Sequence, residues 1–391
     1  MRAAPSQEEV RRQNLGALLR YVHQHGPVSR AELTARLGLN RSTIGALTAD
    51  LSAAGLVQEE APEAGRAGRA GRPSLVVSPR SDLVCAYAVA VEADQVRAAR
   101  VGLGGVLLAR REVAREPGQN LEGLAKLVAM VVNDLDSTAP AEARRIGTGL
   151  ALGTWHGSDG SAGPSPPPDS EPLRTALAAA VPVPPVAFGS AADLAALAEH
   201  VRGVATGCDH VIYLSGDTGV TAGVITGGRR LTAPGGRVGE VGHMVVNPTG
   251  RRCRCGARGC WETEVGEQAL LRAAERPGAA GREAVRAVMD AAARGDVVAR
   301  EAVRQVGDWL GVGVGNLVNI FNPQMIIFGG YLRDIYLVAA AALRSRLNTV
   351  GLAGSRSTVR LRTPALGDDS TLVGAAELAF EALLRDPLGA G

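Results

Sequence analysis

Apolar residues recur at helical spacing in short segments near the start of the chain, and glycine-containing breaks separate these segments. The pattern predicts helices over 10–25 and 30–37, and a third helix that begins after Asn40. The predicted inward positions are Leu15, Leu18, Leu19, Val22, Leu33, Leu37, Ile44, Leu47 and Leu51. Two short helices joined by a tight turn at Gly38 predict a helix-turn-helix, whose second helix enters the major groove of DNA.

The first turn of the third predicted helix carries the candidate DNA contacts. Arg41 can reach a guanine edge or a phosphate oxygen, and short hydroxyl side chains can contact either one. The predicted DNA-contacting residues at this helix start are Asn40, Arg41, Ser42 and Thr43. The alternative, which residues 10–56 alone leave open, is an ordinary small helical bundle.

A candidate wing follows the helix-turn-helix. Two short strands are predicted at 56–57 and 75–77, and Gly-Arg repeats lie between them. Arginines on such a loop can enter a narrow minor groove, whose negative potential attracts them. The predicted wing contacts are Arg66, Arg69 and Arg72. A solvated linker is the alternative for this segment, but a winged helix accounts better for the flanking strands.

Beyond residue 83 the pattern changes to apolar runs of strand length that alternate with helical segments, which predicts an α/β fold. Predicted strands cover 84–91, 96–101, 106–110, 146–152, 185–188, 211–214 and 325–328. Predicted helices cover 121–135, 173–180, a segment opening near 189, then 264–280, 281–294, 296–321 and 370–385. Glycines 311, 313 and 315 predict close packing of the longest helix against another element, within the chain or across a dimer.

Composition and charge narrow the functional classes. With 391 residues, 46% of them hydrophobic, the chain is long enough for two or three domains with a sizeable core. The net charge of +3 is uneven, because residues 1–80 contain eleven arginines against seven Asp and Glu. Basic charge on a small terminal module favours a polyanionic partner, here double-stranded DNA.

The sequence also predicts a soluble cytoplasmic protein with no membrane partner. The N-terminus carries charged residues where a secretion signal would be apolar. No apolar stretch reaches the roughly 20 residues of a membrane span. Five cysteines, of which Cys85 and Cys208 are isolated, do not form a disulfide framework.

The remaining three cysteines lie within 253–260, and a histidine precedes them. Three Cys and one His are a common tetrahedral ligand set for structural zinc. The predicted zinc ligands are His243, Cys253, Cys255 and Cys260. The alternative is a set of reduced, unligated thiols or a disulfide among them, although the short loop would strain a bridge between Cys253 and Cys255.

This stretch resembles the signature of the ROK family of repressors, open reading frames and sugar kinases. The matching residues are Glu240-x-x-His243 and Cys253-x-Cys255-Gly-x-x-Gly-Cys260-x-Glu262. The resemblance implies a zinc site and a sugar pocket lined by Glu240, His243 and Glu262. It also implies two α/β lobes of the actin-like ATPase, sugar-kinase type. With a winged helix-turn-helix over 1–80, the expected lobes are 81–188, joined by the C-terminal helix of 370–391, and 189–369 with the zinc loop.

The chain departs from the family kinases at positions that catalysis needs. The first phosphate loop of the kinases, Asp-x-Gly-Gly-Thr, corresponds to residues 91–95, which contain neither glycine nor threonine. Aligning the following helix places Ser190 at the sugar-binding Asn and Ala191 at the catalytic Asp. A methyl group cannot accept the proton of a sugar hydroxyl. A second Gly-rich loop, 215–223, keeps part of its pattern, with Thr221 replacing a glycine. The sequence therefore predicts a protein that is not an enzyme.

These observations favour a DNA-binding transcriptional regulator, a repressor of carbohydrate-metabolism genes, which senses a sugar or sugar derivative in a degenerate kinase-like pocket. One alternative is a ROK sugar kinase with an added DNA-binding module, which Ala191 argues against. Another is a regulator that no longer binds a small ligand, since Glu240 and Glu262 can instead orient the zinc ligands. A homodimer or homotetramer is expected, because a dimer presents two recognition helices to successive major grooves.

Overall fold

The computed structural model describes residues 6–61, 74–116, 119–153, 171–217, 219–232, 238–276 and 278–389. Its N-terminal part forms the predicted winged helix-turn-helix. The elements are α1 (Gln7–His25), β1 (Val28–Ser29), α2 (Arg30–Leu37), α3 (Arg41–Ala53), β2 (Val57–Glu60) and β3 (Val76–Pro79). The strands pair antiparallel in the order β1-β3-β2. The sequence did not predict β1, because two residues are too few to produce a periodic pattern.

Local chemistry explains the boundaries of the helix-turn-helix. Helix α2 ends because Gly38 adopts a left-handed conformation with φ of 65°, which glycine adopts without strain. Helix α3 begins at Asn40, whose Oδ1 accepts a hydrogen bond from the Thr43 N–H at 2.8 Å. The apolar positions predicted from the periodicity are confirmed as core for Leu15, Leu18, Leu19, Val22, Leu33, Ile44, Leu47 and Leu51, whereas Leu37 is only partly buried.

Two further sheets form the body of the protein. The first contains β4 (Val84–Val91), β5 (Gln95–Gly102), β6 (Val106–Ala114), β7 (Arg144–Leu152) and β8 (Val186–Ser190). The second contains β9 (Val211–Gly216), β10 (Val220–Thr226), β11 (Arg229–Arg230), β12 (Met325–Gly330) and β13 (Arg360–Arg362). Their orders are β6-β5-β4-β7-β8 and β11-β10-β9-β12-β13. In chain order both read 3-2-1-4-5, with an antiparallel meander on one side and parallel strands on the other. This repeated topology confirms the predicted two-lobed, actin-like fold.

Helices cover both sheets. They are α4 (Leu121–Ser137), α5 (Glu171–Ala180), α6 (Ala191–Val201), α7 (Trp261–Val265), α8 (Glu267–Ala273), α9 (Gly281–Ala293), α10 (Val297–Phe321), α11 (Tyr331–Val350), α12 (Ala353–Thr358) and α13 (Ser370–Arg385). The single helix predicted over 264–280 is wrong, because Gly266 separates α7 from α8. The pattern also did not predict β10, β11, α11, α12 and β13. In the described part of the chain, none of the helices is long and apolar enough to cross a membrane.

Helices α6 and α13 lie between the two sheets and pack against each other. Helix α13 packs on β4 and β7 of the first sheet, while α6 packs on β9 and β10 of the second. Glycines allow this close approach. A Cβ at Gly374 of α13 would overlap the carbonyl oxygen of Leu194 in α6, and a Cβ at Gly223 of β10 would overlap that of Ala192.

We expect Gly374→Ala to destabilise the protein by at least about 1–3 kcal/mol, the usual cost of overpacking, because the added methyl meets backbone that cannot rotate away. Gly354→Ala in α12 is the matched control, since a Cβ at that position would meet nothing within 4 Å and alanine favours a helix. Urea unfolding midpoints of the two variants measure the difference. Equal midpoints would contradict this description of the α6–α13 contact.

The glycines of α10 pack closely within the chain. A Cβ at Gly311 would lie 2.7 Å from the Leu343 carbonyl oxygen, and one at Gly315 would lie 2.8 Å from Val350 Cγ1. A Cβ at Gly313 would overlap the ring of Trp261, the residue that follows the last cysteine of the predicted zinc loop. The prediction of close packing is therefore confirmed, and the partner elements are α11 and α7 of the same chain.

Candidate functional site

The predicted zinc loop is held against the second lobe by short backbone contacts. A 3₁₀ turn over Val241–His243 precedes it, and a β-bridge joins Val245 to Cys260. The loop reverses at Gly259, where φ is 73° and a Cβ would overlap the Asn247 carbonyl oxygen. Trp261, fully buried, then anchors the loop, because its Nε1–H donates to the Trp309 carbonyl oxygen at 3.0 Å. These contacts bring residues that are up to seventeen positions apart to one point.

The structure brings the predicted metal ligands together. The ligand atoms of His243, Cys253, Cys255 and Cys260 all lie within 4.8 Å of one another. Cys255 Sγ and Cys260 Sγ are 3.6 Å apart, and Cys253 Sγ lies 3.7 Å from His243 Nδ1. A tetrahedral zinc with Zn–S bonds of about 2.3 Å requires ligand separations of about 3.8 Å. A disulfide needs about 2.05 Å, so none of the described cysteines is bridged. The cluster can hold a metal ion, and its size and donor set fit zinc.

The thiols of the cluster differ in how readily they ionise. Burial raises the pKa of both Cys253 and Cys260 above the ordinary thiol value. Burial opposes ionisation of Cys255 too, but hydrogen bonds from the Ala257 backbone and from the neighbouring cysteines lower its pKa below the ordinary thiol value. A bound metal ion opposes the effect of burial, because zinc takes the thiolate as its ligand and releases the proton. Metal affinity at this site should therefore rise with pH.

The three residues implied to bind sugar lie beside this cluster but differ in exposure. The Glu240 side chain is 55% exposed, and its Oε2 is 3.9 Å from His243 Nε2. The Glu262 side chain is 11% exposed, with Oε1 3.9 Å from His243 Nδ1 and 3.1 Å from Cys253 Sγ. Arg254 Nε lies 3.4 Å from the same oxygen. Glu240 thus faces the side of the imidazole away from the cluster, whereas Glu262 contacts the cluster itself.

Helix α6 begins where the sequence resemblance predicts the position of the kinase catalytic residue. Ser190 is its N-cap, with Oγ accepting the Asp193 N–H at 3.1 Å, and Ala191 is its first residue. The Ser190 hydroxyl is thus already engaged in capping. Burial raises the pKa of Asp193 to about 6, while Ser190 and Arg230 lower it. Asp193 lies in the first turn of α6, where the helix dipole favours a carboxylate.

A cavity of about 250 Å³ opens between the lobes. Its lining includes Glu92, Asp94, Asp217, Gly330 and Tyr331. The first three lie where the resemblance places the two kinase phosphate loops, and the last two lie where β12 ends and α11 begins. Glu240, His243 and Glu262 do not line it. Desolvation, followed by the nearby Glu92 charge, raises the pKa of Asp217 to about 6. The cavity is acidic where the family kinases place phosphates.

Glu92 lies at the position that corresponds to the first phosphate loop, and both its backbone and its carboxylate are already hydrogen-bonded within the protein. Its backbone N–H closes a tight turn with the Gln95 carbonyl at 2.9 Å, so that amide does not point into the cavity. Its carboxylate accepts from Arg97 Nε at 2.8 Å and from Arg282 of α9 at 2.8 Å. The sequence alone does not indicate Arg97 or Arg282, because nothing local to Arg282 points to a partner 190 residues earlier. Where the resemblance places the first phosphate loop, the structure has an ion pair between the lobes.

The candidate DNA contacts lie at an exposed helix start. Arg41 and Ser42 are exposed and Thr43 is partly exposed. Asn40 is committed to capping, because its Oδ1 also accepts the Ser42 hydroxyl at 2.7 Å. Arg30 of α2 pairs with Glu59 of β2 at 2.5 Å and fixes the wing strand against the helices. The predicted wing arginines Arg66, Arg69 and Arg72 lie outside the described residues.

Comparison with known proteins agrees with this organisation. The profile of the ROK family matches residues 86–382, and that of the MarR family matches residues 16–67. The xylose repressor of Bacillus subtilis is 25% identical over 381 residues, which cover 96% of this chain and 97% of that protein. The transcriptional dual regulator NagC of Escherichia coli is 29% identical over 198 residues, 49% of this chain and 48% of that one.

Solved structures give the same result for the fold. A ROK family transcriptional regulator, a homologue of the E. coli MLC protein, superposes with a TM-score of 0.75 at 23% identity and covers 96% of this chain and 97% of that chain. A ROK family glucokinase from Streptomyces griseus, solved with glucose and AMPPNP, superposes with a TM-score of 0.63 at 27% identity, covering 75% of this chain and 98% of its own. The chain belongs to the ROK family, with a winged helix-turn-helix ahead of the family domain.

Proposed function

We propose that the protein is a DNA-binding transcriptional regulator, a repressor of carbohydrate-metabolism genes, whose kinase-like body binds a sugar effector. One observation carries this proposal: a winged helix-turn-helix is packed on a sugar-kinase fold whose catalytic position is Ala191. The whole-length similarity to xylose repressors supports the same assignment. We place the domain boundaries near residues 80 and 188, and the site of action in the cytoplasm.

We further propose that the protein is not an enzyme. The position of the general base carries a methyl group, and Glu92 with its arginine partners fills the place of the first phosphate loop. A phosphate approaching Glu92 would meet a carboxylate, and both arginines are already paired with it. These features disfavour the alternative of an active sugar kinase with a DNA-binding module.

We propose that the resident metal is zinc, held by His243 Nδ1 and the three cysteine sulfurs. Zinc would supply no chemistry here beyond cross-linking the 3₁₀ turn at His243 to the loop of residues 253–260. The residues of the chain then do the recognition: His243 offers Nε2, and Glu240 and Glu262 offer carboxylates that can accept hydrogen bonds from sugar hydroxyls. The effector would be a monosaccharide or a derivative of one.

The DNA-binding form is proposed to be a homodimer or homotetramer. A dimer places two copies of α3 in successive major grooves, about 34–36 Å apart on B-form DNA. Arg41, Ser42 and Thr43 would contact bases or phosphates, with Asn40 fixing the helix start, and the arginines at 66, 69 and 72 would reach the minor groove. Sugar binding would change the separation of the two α3 helices and so the affinity for the operator.

We expect Arg41→Ala to weaken DNA binding by about 1–3 kcal/mol, or roughly 5- to 150-fold, and to reduce the salt dependence if the contact is to phosphate. The assay uses a DNA fragment selected by the full chain from random sequence. Arg304→Ala is the matched control, because this exposed arginine lies on α10 and pairs only with Glu301 among its described partners. If the two variants lose DNA affinity to the same extent, α3 is not part of the DNA-binding interface.

A further inference from the structure

A buried polar cluster joins the DNA-binding module to both lobes. Glu377 of α13 accepts from His23 Nε2 at 3.0 Å and from Arg202 Nε at 2.5 Å. His23 belongs to α1 and its side chain is 0% exposed, while Arg202 is the C-cap of α6. The turn between β5 and β6 completes the cluster, with the Gly104 N–H donating to His23 Nδ1 at 2.9 Å and the Gly104 carbonyl accepting from Arg202 at 2.8 Å. Four separate elements therefore meet at one point.

The hydrogen-bonding groups, the space and the charges around His23, Arg202 and Glu377 all favour this arrangement. Since the Gly104 N–H can only donate, His23 Nδ1 accepts and Nε2 carries the proton that is given to Glu377. Arg202 Nη2 also lies 2.7 Å from His23 Nε2, but in this tautomer both groups are donors, so Glu377 is the hydrogen-bond partner of each residue. A Cβ at Gly105 would overlap the guanidinium of Arg202, so the turn leaves the space through which Arg202 reaches α1. Burial alone raises the pKa of Glu377, but His23 and Arg202 lower it below its ordinary value, which keeps the carboxylate charged. Buried charges are retained when they are paired in this way.

Helix α6 connects this cluster to the proposed effector pocket. Its N-cap is Ser190, where the resemblance places the sugar-binding Asn of the kinases, and its C-cap is Arg202. Helix α6 packs on β10, which in turn contacts the 3₁₀ turn of Val241–His243. A Cβ at Gly223 of β10 would overlap the Ala192 carbonyl oxygen of α6, and a Cβ at Gly242 would lie 2.4 Å from the Val220 carbonyl oxygen of β10. An α-helix of eleven residues is about 16 Å long and moves as a rigid unit. A ligand that displaces the start of α6 therefore displaces Arg202 as well.

Helix α1 is equally well placed to carry the displacement to DNA. It packs on α13 along its length, and a Cβ at Gly16 would lie 2.8 Å from the Leu384 carbonyl oxygen. Its other face forms the core of the helix-turn-helix, and Arg11 pairs with Asp50 of α3 at 2.6 Å. A shift of α1 would thus carry the recognition helix with it.

We propose that Arg202, Glu377 and His23 are positioning residues that transmit the state of the sugar pocket to the recognition helix through α6 and α1. This inference rests on the proposed function, because it supplies the connection between effector and operator. None of the three side chains is assigned to contact DNA or sugar. Their role is to couple the two binding equilibria.

The test compares DNA affinity with and without sugar. The probes are D-xylose, D-glucose and N-acetyl-D-glucosamine, titrated against the full chain on a DNA fragment selected from random sequence. For the unchanged protein we expect one of these sugars to weaken DNA binding by about 5- to 150-fold, the usual range of allosteric coupling. In Glu377→Gln and Arg202→Gln we expect the ratio of DNA affinity without sugar to DNA affinity with sugar to fall to about 1–2. Sugar affinity in the absence of DNA should change by less than about 2-fold.

Arg110→Gln is the matched control. Arg110 of β6 pairs with Asp369, the N-cap of α13, at 2.8 Å, so its loss also breaks an ion pair to α13, but one for which no contact with α1 or α6 is described. This variant should keep the full sugar response. If sugar still weakens DNA binding fully in both Glu377→Gln and Arg202→Gln, the proposal is overturned. If DNA binding of the protein without substitutions responds to none of the sugars, the result contradicts the proposed effector function instead.

A measurement on the unchanged protein guards against variants that do not fold. Hydrogen exchange with and without the effective sugar should show altered protection in α1 and in the backbone N–H of Gly104. Altered protection around residues 240–262 with no change in α1 or at Gly104 would overturn the coupling route.

Discussion

Cys260→Ser is expected to remove stoichiometric zinc from the purified protein and to lower its thermal stability sharply. Cys260 is fully buried, lies 3.6 Å from Cys255 Sγ, and immediately precedes the buried Trp261 anchor. A serine hydroxyl is a poor zinc ligand at neutral pH, and structural zinc sites bind with apparent free energies of about 10–16 kcal/mol in small peptides. Losing one of four ligands should therefore reduce metal affinity by orders of magnitude.

Elemental analysis after gel filtration gives the zinc content directly. Cys208→Ser is the matched control, since Cys208 is also buried but lies in a different core region, near Arg360. We expect about one zinc per chain in the control and much less in Cys260→Ser. One full equivalent in both variants would show that the cluster of His243 and the three cysteines is not the zinc site.

Glu240→Ala is expected to weaken sugar binding by about 10- to 150-fold, because a hydrogen bond to a charged group contributes about 1.5–3 kcal/mol. The Glu240 carboxylate is accessible to a ligand, since its side chain is 55% exposed and faces the imidazole from the side away from the cysteines. Isothermal titration with the effective sugar measures it. Glu301→Ala, an exposed carboxylate on α10, is the control and should bind sugar normally.

Zinc content in Glu240→Ala separates two roles of this residue. Unchanged zinc with lost sugar affinity indicates direct contact with the sugar. Lost zinc would mean that Glu240 instead orients His243 as a metal ligand, which is the case for a regulator that needs no small ligand. Unchanged sugar affinity and unchanged zinc together would exclude Glu240 from both roles.

Much of the fold could be predicted because its signals are local. Helix α2 and helix α13 were predicted at the residues where they occur, since Gly38 and the apolar stripe of α13 define them. The cysteine spacing of residues 253–260 likewise predicted a cluster that the structure brings together. In each case a stretch of fewer than twenty residues contains the information.

The rest depends on contacts between distant segments. Gly266 divides the predicted helix over 264–280 because it adopts an extended conformation with φ of −66° and ψ of 167°, which periodicity alone does not reveal. The pairs Glu92–Arg282 and His23–Glu377 join residues 190 and 354 positions apart. Charged residues at such separations look like ordinary surface positions in the sequence. Only the fold identifies them as partners.

The same contacts suggest how a kinase fold could serve a regulator. In a kinase, the cleft between the lobes must admit nucleotide phosphates, and the backbone N–H groups of glycines there donate hydrogen bonds to the phosphate oxygens. Here Glu92 bridges Arg97 of the first lobe and Arg282 of the second. The geometry of the cleft therefore depends on side chains of the protein itself and not on a nucleotide. Sugar binding is the proposed signal that the regulator responds to.

The central claim, that a sugar controls DNA binding, is tested most directly by one titration. A DNA fragment selected by the full, zinc-loaded chain is held at fixed concentration while D-xylose, D-glucose and N-acetyl-D-glucosamine are added in turn, and bound DNA is followed by fluorescence anisotropy. Saturable release of DNA by one sugar, absent in Glu240→Ala, is the predicted result. Tight DNA binding that none of the three sugars changes would contradict the account.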